Sequence, residues 1–139
     1  MRGRAMRNGE SAARPNGAGL HGLKVLVAED EALVALDLAC TLRELGCDVL
    51  PAAPSVAGAL AILGAERPDV ALLDVSLADG SAAPVAAALA AAGVPFAVVT
   101  GHAAGGIGEA ALRAAPHLGK PYGLRDLRAT LAQLSAPSR

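Results

Sequence analysis

A chain of 139 residues is sized for one domain, and an apolar content of 53% can fill a core. That core must be Ala, Val and Leu, because the sequence holds one Phe, one Tyr and no Trp, which argues against stacking on nucleic-acid bases. A formal net charge of −1 argues against a general polyanion binder.

Cys40 and Cys47 lack a C-x-x-C spacing and read as small packing residues of a reducing compartment. No apolar run approaches the roughly 20 residues of a bilayer span. The N-terminal arginines are not followed by an apolar signal region, so a cytoplasmic protein is expected.

Residues 1–22 carry Arg2, Arg4, Arg7 and Arg14 against Glu10, among Gly, Asn and Pro, without periodicity. They read as a disordered basic arm, with Met6 an alternative start and a partner-binding arm the other alternative. A domain is expected over 23–134, with a short tail at 135–139 and no attached output domain. Lys24-Val25-Leu26-Val27-Ala28 is a buried parallel strand ending in acid. Val34, Leu38, Thr41 and Leu45 predict one face of a helix that Gly46 ends. Asp48-Val49-Leu50 is a weak second strand. Pro54 and Ser55 open a helix with Val56, Leu60 and Leu63 on one face.

Val70-Ala71-Leu72-Leu73 is a third strand that stops at Asp74, and Asp79-Gly80-Ser81 is turn chemistry. An Ala-rich helix is predicted over about 83–92, then a fourth strand from Val94 to Thr100. Residues 103–114 form a helix weakened by Gly105, Gly106 and Gly108, at roughly 1 kcal/mol per interior glycine. A short fifth strand lies around Pro116-His117-Leu118. Leu124, Leu127, Leu131 and Leu134 mark a final amphipathic helix. Five strand–helix alternations imply an α/β fold: a parallel sheet with helices on both faces.

In such sheets function gathers beyond the carboxyl ends of the strands. Those ends here are Glu29-Asp30, Asp74, Thr100 and Lys120-Pro121. Clustered carboxylates repel one another unless a hard cation sits among them. Mg²⁺ prefers oxygen ligands and retains waters, so Asp30, Asp74 and the backbone carbonyl of Ser76 suffice as protein ligands, with Glu29 acting through water. A carboxylate can also attack phosphorus. The phosphoryl group on Asp74 would then meet Mg²⁺, the Lys120 ammonium and the Thr100 hydroxyl.

The acidic pair after strand one, the strand-three Asp, the strand-four Thr and the Lys-Pro after strand five together resemble the response-regulator receiver family, across residues 23–134. The resemblance implies a flavodoxin-like, doubly wound (βα)5 fold with strand order 2-1-3-4-5. It implies that Asp74 is the phosphoacceptor, and that Thr100 moves toward the phosphoryl group while Lys120 pairs with it. The Lys120-Pro121 bond is often cis in the family. Implied partners are a sensor histidine kinase or His-phosphotransfer protein and a downstream target protein. Nucleic acid and membrane are not expected as partners, and the protein is expected to be a monomer or weak dimer.

Pro95-Phe96 before Thr100 and Gly101 after it resemble a subgroup rich in stand-alone receivers from alphaproteobacteria, with His102 where Tyr is usual. The loop from Val75 to Gly80 lacks the family's common Pro and looks short. His117 falls where many receivers carry a rotating aromatic residue, which departs from the usual Thr–Tyr coupling; with the glycine-rich fourth helix, a mobile 101–113 segment that orders on phosphorylation or partner binding is expected. His102 and His117 as ordinary histidines, and Asp69, Asp79 and Asp126 as turn and cap residues, are the plainer readings. Two further functions compete. One is a pseudo-receiver acting by protein contact without phosphorylation. The other is a phosphohydrolase, which commonly has a second acid two residues past its nucleophile, where this chain has Ser76. A phosphoacceptor that is not itself an enzyme fits best.

Overall fold

A computed structural model of the chain describes residues 20–100, 110–120 and 122–136, apart from the side chain of Ala111. The expectations for residues 1–19, for most of the 101–113 segment, for Pro121 and for 137–139 fall outside the described residues. Leu20 packs into the core, and the Gly22 N–H donates to the Gly46 carbonyl at 2.7 Å.

Chain order gives β1 (Lys24–Ala28), α1 (Ala32–Glu44), β2 (Asp48–Val49), α2 (Val56–Ala65) and β3 (Val70–Asp74). Next come β4 (Ser76–Leu77), β5 (Gly80–Ser81), α3 (Ala83–Ala91), β6 (Phe96–Thr100), α4 (Ala110–Ala114), β7 (His117–Gly119) and α5 (Leu124–Ser135). Strands β2, β1, β3, β6 and β7 lie side by side in that order, all parallel. Numbered among themselves, these five strands have the expected 2-1-3-4-5 order. The central strands are β-branched and leucine-rich because both of their faces are covered.

Alternation divides the sheet's side chains between two cores. On one face Leu26, Ala71, Leu73 and Val98 meet α2, α3 and α4 through Ala59, Val85, Leu89 and Leu112. On the other, Val25, Val27, Leu72 and Val99 meet α1 and α5 through Leu38, Leu42, Leu127 and Leu131. Helices α1 and α3 stop where Gly46 (φ 93°) and Gly93 (φ 73°) take a left-handed turn that an L side chain resists. Among the described residues, no helix is long and apolar enough to cross a membrane.

Several details differ from the sequence reading. The buried stripe of α1 is Ala35, Leu38, Ala39 and Leu42, not Val34, Leu38, Thr41 and Leu45. Both stripes fit a 3.6-residue period, and the alanines let the helix approach the sheet closely. On α2, Ala59 is buried with Val56, Ile62 and Leu63 beside it, whereas Leu60 is exposed. Cys40 is exposed and Cys47 buried. The turn at Asp79–Ser81 belongs to a small antiparallel hairpin, β4–β5, that separates β3 from α3.

Candidate functional site

The strand register assembles the site. Ala28 is level with Leu73, so the next residues, Glu29 and Asp74, leave the sheet abreast. Asp74 is level with Val99, which sets Thr100 one residue further out, and Thr100 is level with Gly119, which precedes Lys120. The Lys120 N–H donates to the Thr100 carbonyl at 2.9 Å, fixing where the lysine side chain starts.

The side chains then converge. Lys120 Nζ lies 3.4 Å from Glu29 Oε1 and 3.6 Å from Asp74 Oδ2. Asp74 Oδ1 accepts the Val75 N–H at 2.8 Å, so one carboxylate oxygen is held by backbone and the other faces the ammonium. Glu29 Oε2 accepts the Glu31 N–H at 3.2 Å. Carboxylate oxygens of Glu29, Asp30 and Asp74 all lie within 4.8 Å of one another. Thr100 is buried at the same edge, at 3% exposure, and Asp30 is exposed.

The charges explain the titration behaviour. Burial, at 4% exposure, pushes the Glu29 carboxyl above the usual carboxylate range, and the neighbouring Asp74 adds to the rise. The Glu31 N–H and the Lys120 ammonium only partly offset it. For Lys120, burial disfavours the ammonium, but the charges and hydrogen bonds of Asp74 and Glu29 prevail and raise its pKa. Three carboxylates against one ammonium leave a surplus of negative charge. All the side-chain donors are hard oxygens, a set that suits Mg²⁺. Ser76, exposed at the start of β4, stands two residues past Asp74 where its carbonyl can join them.

Glu29, Asp30, Asp74 and Lys120 are thus brought together; Thr100 ends β6 at the same sheet edge, and Ser76 begins β4 two residues past Asp74. His117 lies on β7, level with Val98, with a buried Nε2 that has no hydrogen-bond partner among the described residues. The sequence reads Asp79 as a turn or cap residue without saying which helix it would cap. In the structure its carboxylate accepts the N–H groups of Val56 at 2.6 Å and Ala57 at 3.1 Å, across 23 and 22 residues of sequence. No local pattern announces a contact of that range.

A doubly wound parallel sheet with three carboxylates and a lysine ammonium gathered at its carboxyl edge defines the class. The chain belongs to the response regulator receiver domain family, whose model matches residues 25–132. It is 32% identical over 107 residues to the transcriptional regulatory protein PdtaR of Mycobacterium tuberculosis, covering 75% of this chain and 52% of that protein. The chain therefore spans about half the length of the curated relatives it matches. Among solved structures it resembles the BeF3-activated conformation of SdrG from Pseudomonas melonis Fr1, at 35% identity and a TM-score of 0.71, covering 84% of this chain and 98% of that one. It also resembles the response regulator PhyR from Brucella abortus, at 27% identity and a TM-score of 0.70, covering 81% and 47%.

Proposed function

We propose that this protein is a phosphoacceptor of two-component signalling, in which Asp74 receives a phosphoryl group from a phosphohistidine of a sensor kinase or phosphotransfer protein. The observation that carries the reading is the placement of Lys120 Nζ between Glu29 and Asp74, at 3.4 and 3.6 Å, beside three mutually adjacent carboxylates. The 35% identity to SdrG, a protein with a BeF3-activated conformation, supports it.

Asp74 Oδ2 attacks phosphorus, a P–O bond forms, and the P–N bond to the donor imidazole breaks as that nitrogen takes up a proton. Lys120 then pairs with the phosphoryl oxygens in place of its present contact with Asp74, and the Thr100 hydroxyl donates to another. Glu29, Asp30, Asp74 and the Ser76 carbonyl would hold Mg²⁺, which when bound neutralises charge on the transferred group. The protein modifies itself rather than turning over a separate substrate, and its site of action is the cytoplasm, where phosphohistidine donors are found.

The donor docks beside the cup. Leu33 and Leu36 on α1 are 81% and 57% exposed, and Leu36 lines a groove of about 350 Å³ that also includes Glu29, Asp30 and Pro54. An apolar face adjoining the acceptor suits a helix of the phosphohistidine protein.

Acetyl phosphate with Mg²⁺, read by intact mass, tests the assignment. Wild type should gain one phosphoryl group, and Asp74→Ala none. Equal labelling of the two variants overturns the site, and labelling of neither leaves protein contact alone as the function.

A further inference from the structure

The hairpin that follows Asp74 is fastened from outside. Its base is closed by the Ala82 N–H donating to the Val75 carbonyl at 2.9 Å. Near its tip, Asp79 Oδ1 accepts the Val56 N–H at 2.6 Å and Oδ2 the Ala57 N–H at 3.1 Å. The Ala78 N–H donates to the Pro54 carbonyl at 3.1 Å. Val56 and Ala57 open α2, where first-turn N–H groups have no partner within their own helix. A carboxylate there also meets the positive end of the helix dipole.

The segment that receives these bonds is tied to β1 at its other end. The Ala53 N–H donates to Val27, and the Glu29 N–H to Ala53, each at 2.9 Å. Residues 53–57 therefore form a strap. One end holds the strand that presents Glu29 and Asp30, and the other holds the hairpin that presents Ser76. Asp79 is the side chain that joins strap to hairpin.

We propose that Asp79 is a positioning residue for the cation site: by clamping the β4–β5 hairpin to the first turn of α2, it fixes the Ser76 carbonyl against Asp30 and Asp74. The inference rests on the reading of the cup as a Mg²⁺ site. Asp79 itself is exposed and lies outside the cluster of ligating carboxylates. Breaking the clamp leaves the side-chain ligands in place and frees the carbonyl, so affinity falls while the site survives.

A helix cap alone would look similar in a stability measurement, and Ser55 separates the two roles. Its hydroxyl accepts the Gly58 N–H at 2.9 Å, so its side-chain hydrogen bond caps the same helix rather than holding the hairpin. Mg²⁺ titrations followed by amide NMR, on fully folded protein, should compare wild type, Asp79→Ala, Asp79→Asn, Ser55→Ala and Asp30→Ala. Asp79→Ala should weaken Mg²⁺ binding roughly fivefold, about 1 kcal/mol at 1.4 kcal/mol per factor of ten. Asp79→Asn, which keeps one acceptor oxygen, should fall between it and wild type, and it carries the comparison if the alanine variant does not fold. Ser55→Ala should bind like wild type. At saturating Mg²⁺, Asp79→Ala should regain the wild-type rate of labelling by acetyl phosphate. Wild-type affinity in both Asp79 variants, with binding lost in Asp30→Ala, overturns the positioning role and leaves the cup intact. Equal weakening by Ser55→Ala and Asp79→Ala overturns it in favour of general damage to the helix. If wild type binds no Mg²⁺, or Asp30→Ala binds as wild type does, the cup reading fails and the inference with it.

Discussion

Among the described residues Lys120 is the cation in direct contact with Glu29 and Asp74, and its removal should be felt first in stability. Without it, Glu29 and Asp74 face each other at the sheet edge, and Glu29 is buried. In Mg²⁺-free buffer, Lys120→Ala should lower the unfolding free energy by about 1–2 kcal/mol, since a partly buried carboxylate loses its partner. Adding Glu29→Gln should recover much of that loss because it removes the repulsion rather than replacing the cation. Urea unfolding of the single and double variants measures both. Lys120→Ala should still accept phosphate weakly, because the Asp74 nucleophile remains. Asp79 gives a separate pH signature. The Val56 N–H, then that of Ala57, hold its carboxyl below the usual range. A depressed folded-state pKa contributes stability that is present above the ordinary value of 3.8 and lost as pH falls through the lower folded value. The stability gap between wild type and Asp79→Ala should thus be constant at neutral pH and close in the acid range below 3.8. Urea midpoints at neutral pH and at the acid limit of folding test this.

Helix α5 shows how far periodicity reaches. Leu124, Leu127, Leu131 and Leu134 share one stripe in the sequence, yet the structure buries the last three and leaves Leu124 exposed. Leu127→Ala should therefore cost about 2–5 kcal/mol and Leu124→Ala under about 0.5, as read by chemical denaturation. Strands β1, β3 and β6 were legible because an apolar run that stops at a polar residue is a strong signal for a buried parallel strand. The register of α1 was not, because Ala35 and Ala39 compete with Val34 and Thr41 for the inward face, and only the closeness of the sheet decides. The β4–β5 hairpin was also hidden. Two-residue strands carry no periodicity, and what holds them is the distant turn of α2.

The cup itself was legible because topology does most of the placing. Parallel strands in a doubly wound sheet end together, so polar residues that stop β1, β3 and β6 share one edge whatever the helices do. What the strand ends could not reveal is the surface around that edge. Leu33 and Leu36 lie off the stripe of Val34, Leu38, Thr41 and Leu45 that the sequence suggests, and off the buried stripe of Ala35, Leu38, Ala39 and Leu42 as well, so they face out. Apolar side chains left exposed beside a charged site are a cost in the free protein and a gain once a partner covers them. If the phosphohistidine donor docks there, Leu33→Glu with Leu36→Glu should slow transfer from a phosphotransfer protein by an order of magnitude or more, about 1.4 kcal/mol per factor of ten. Labelling by acetyl phosphate needs no such surface and should fall far less. Parallel time courses with the two donors separate the cases: equal slowing would place the damage in the cup, and no slowing with either would move the docking face away from α1.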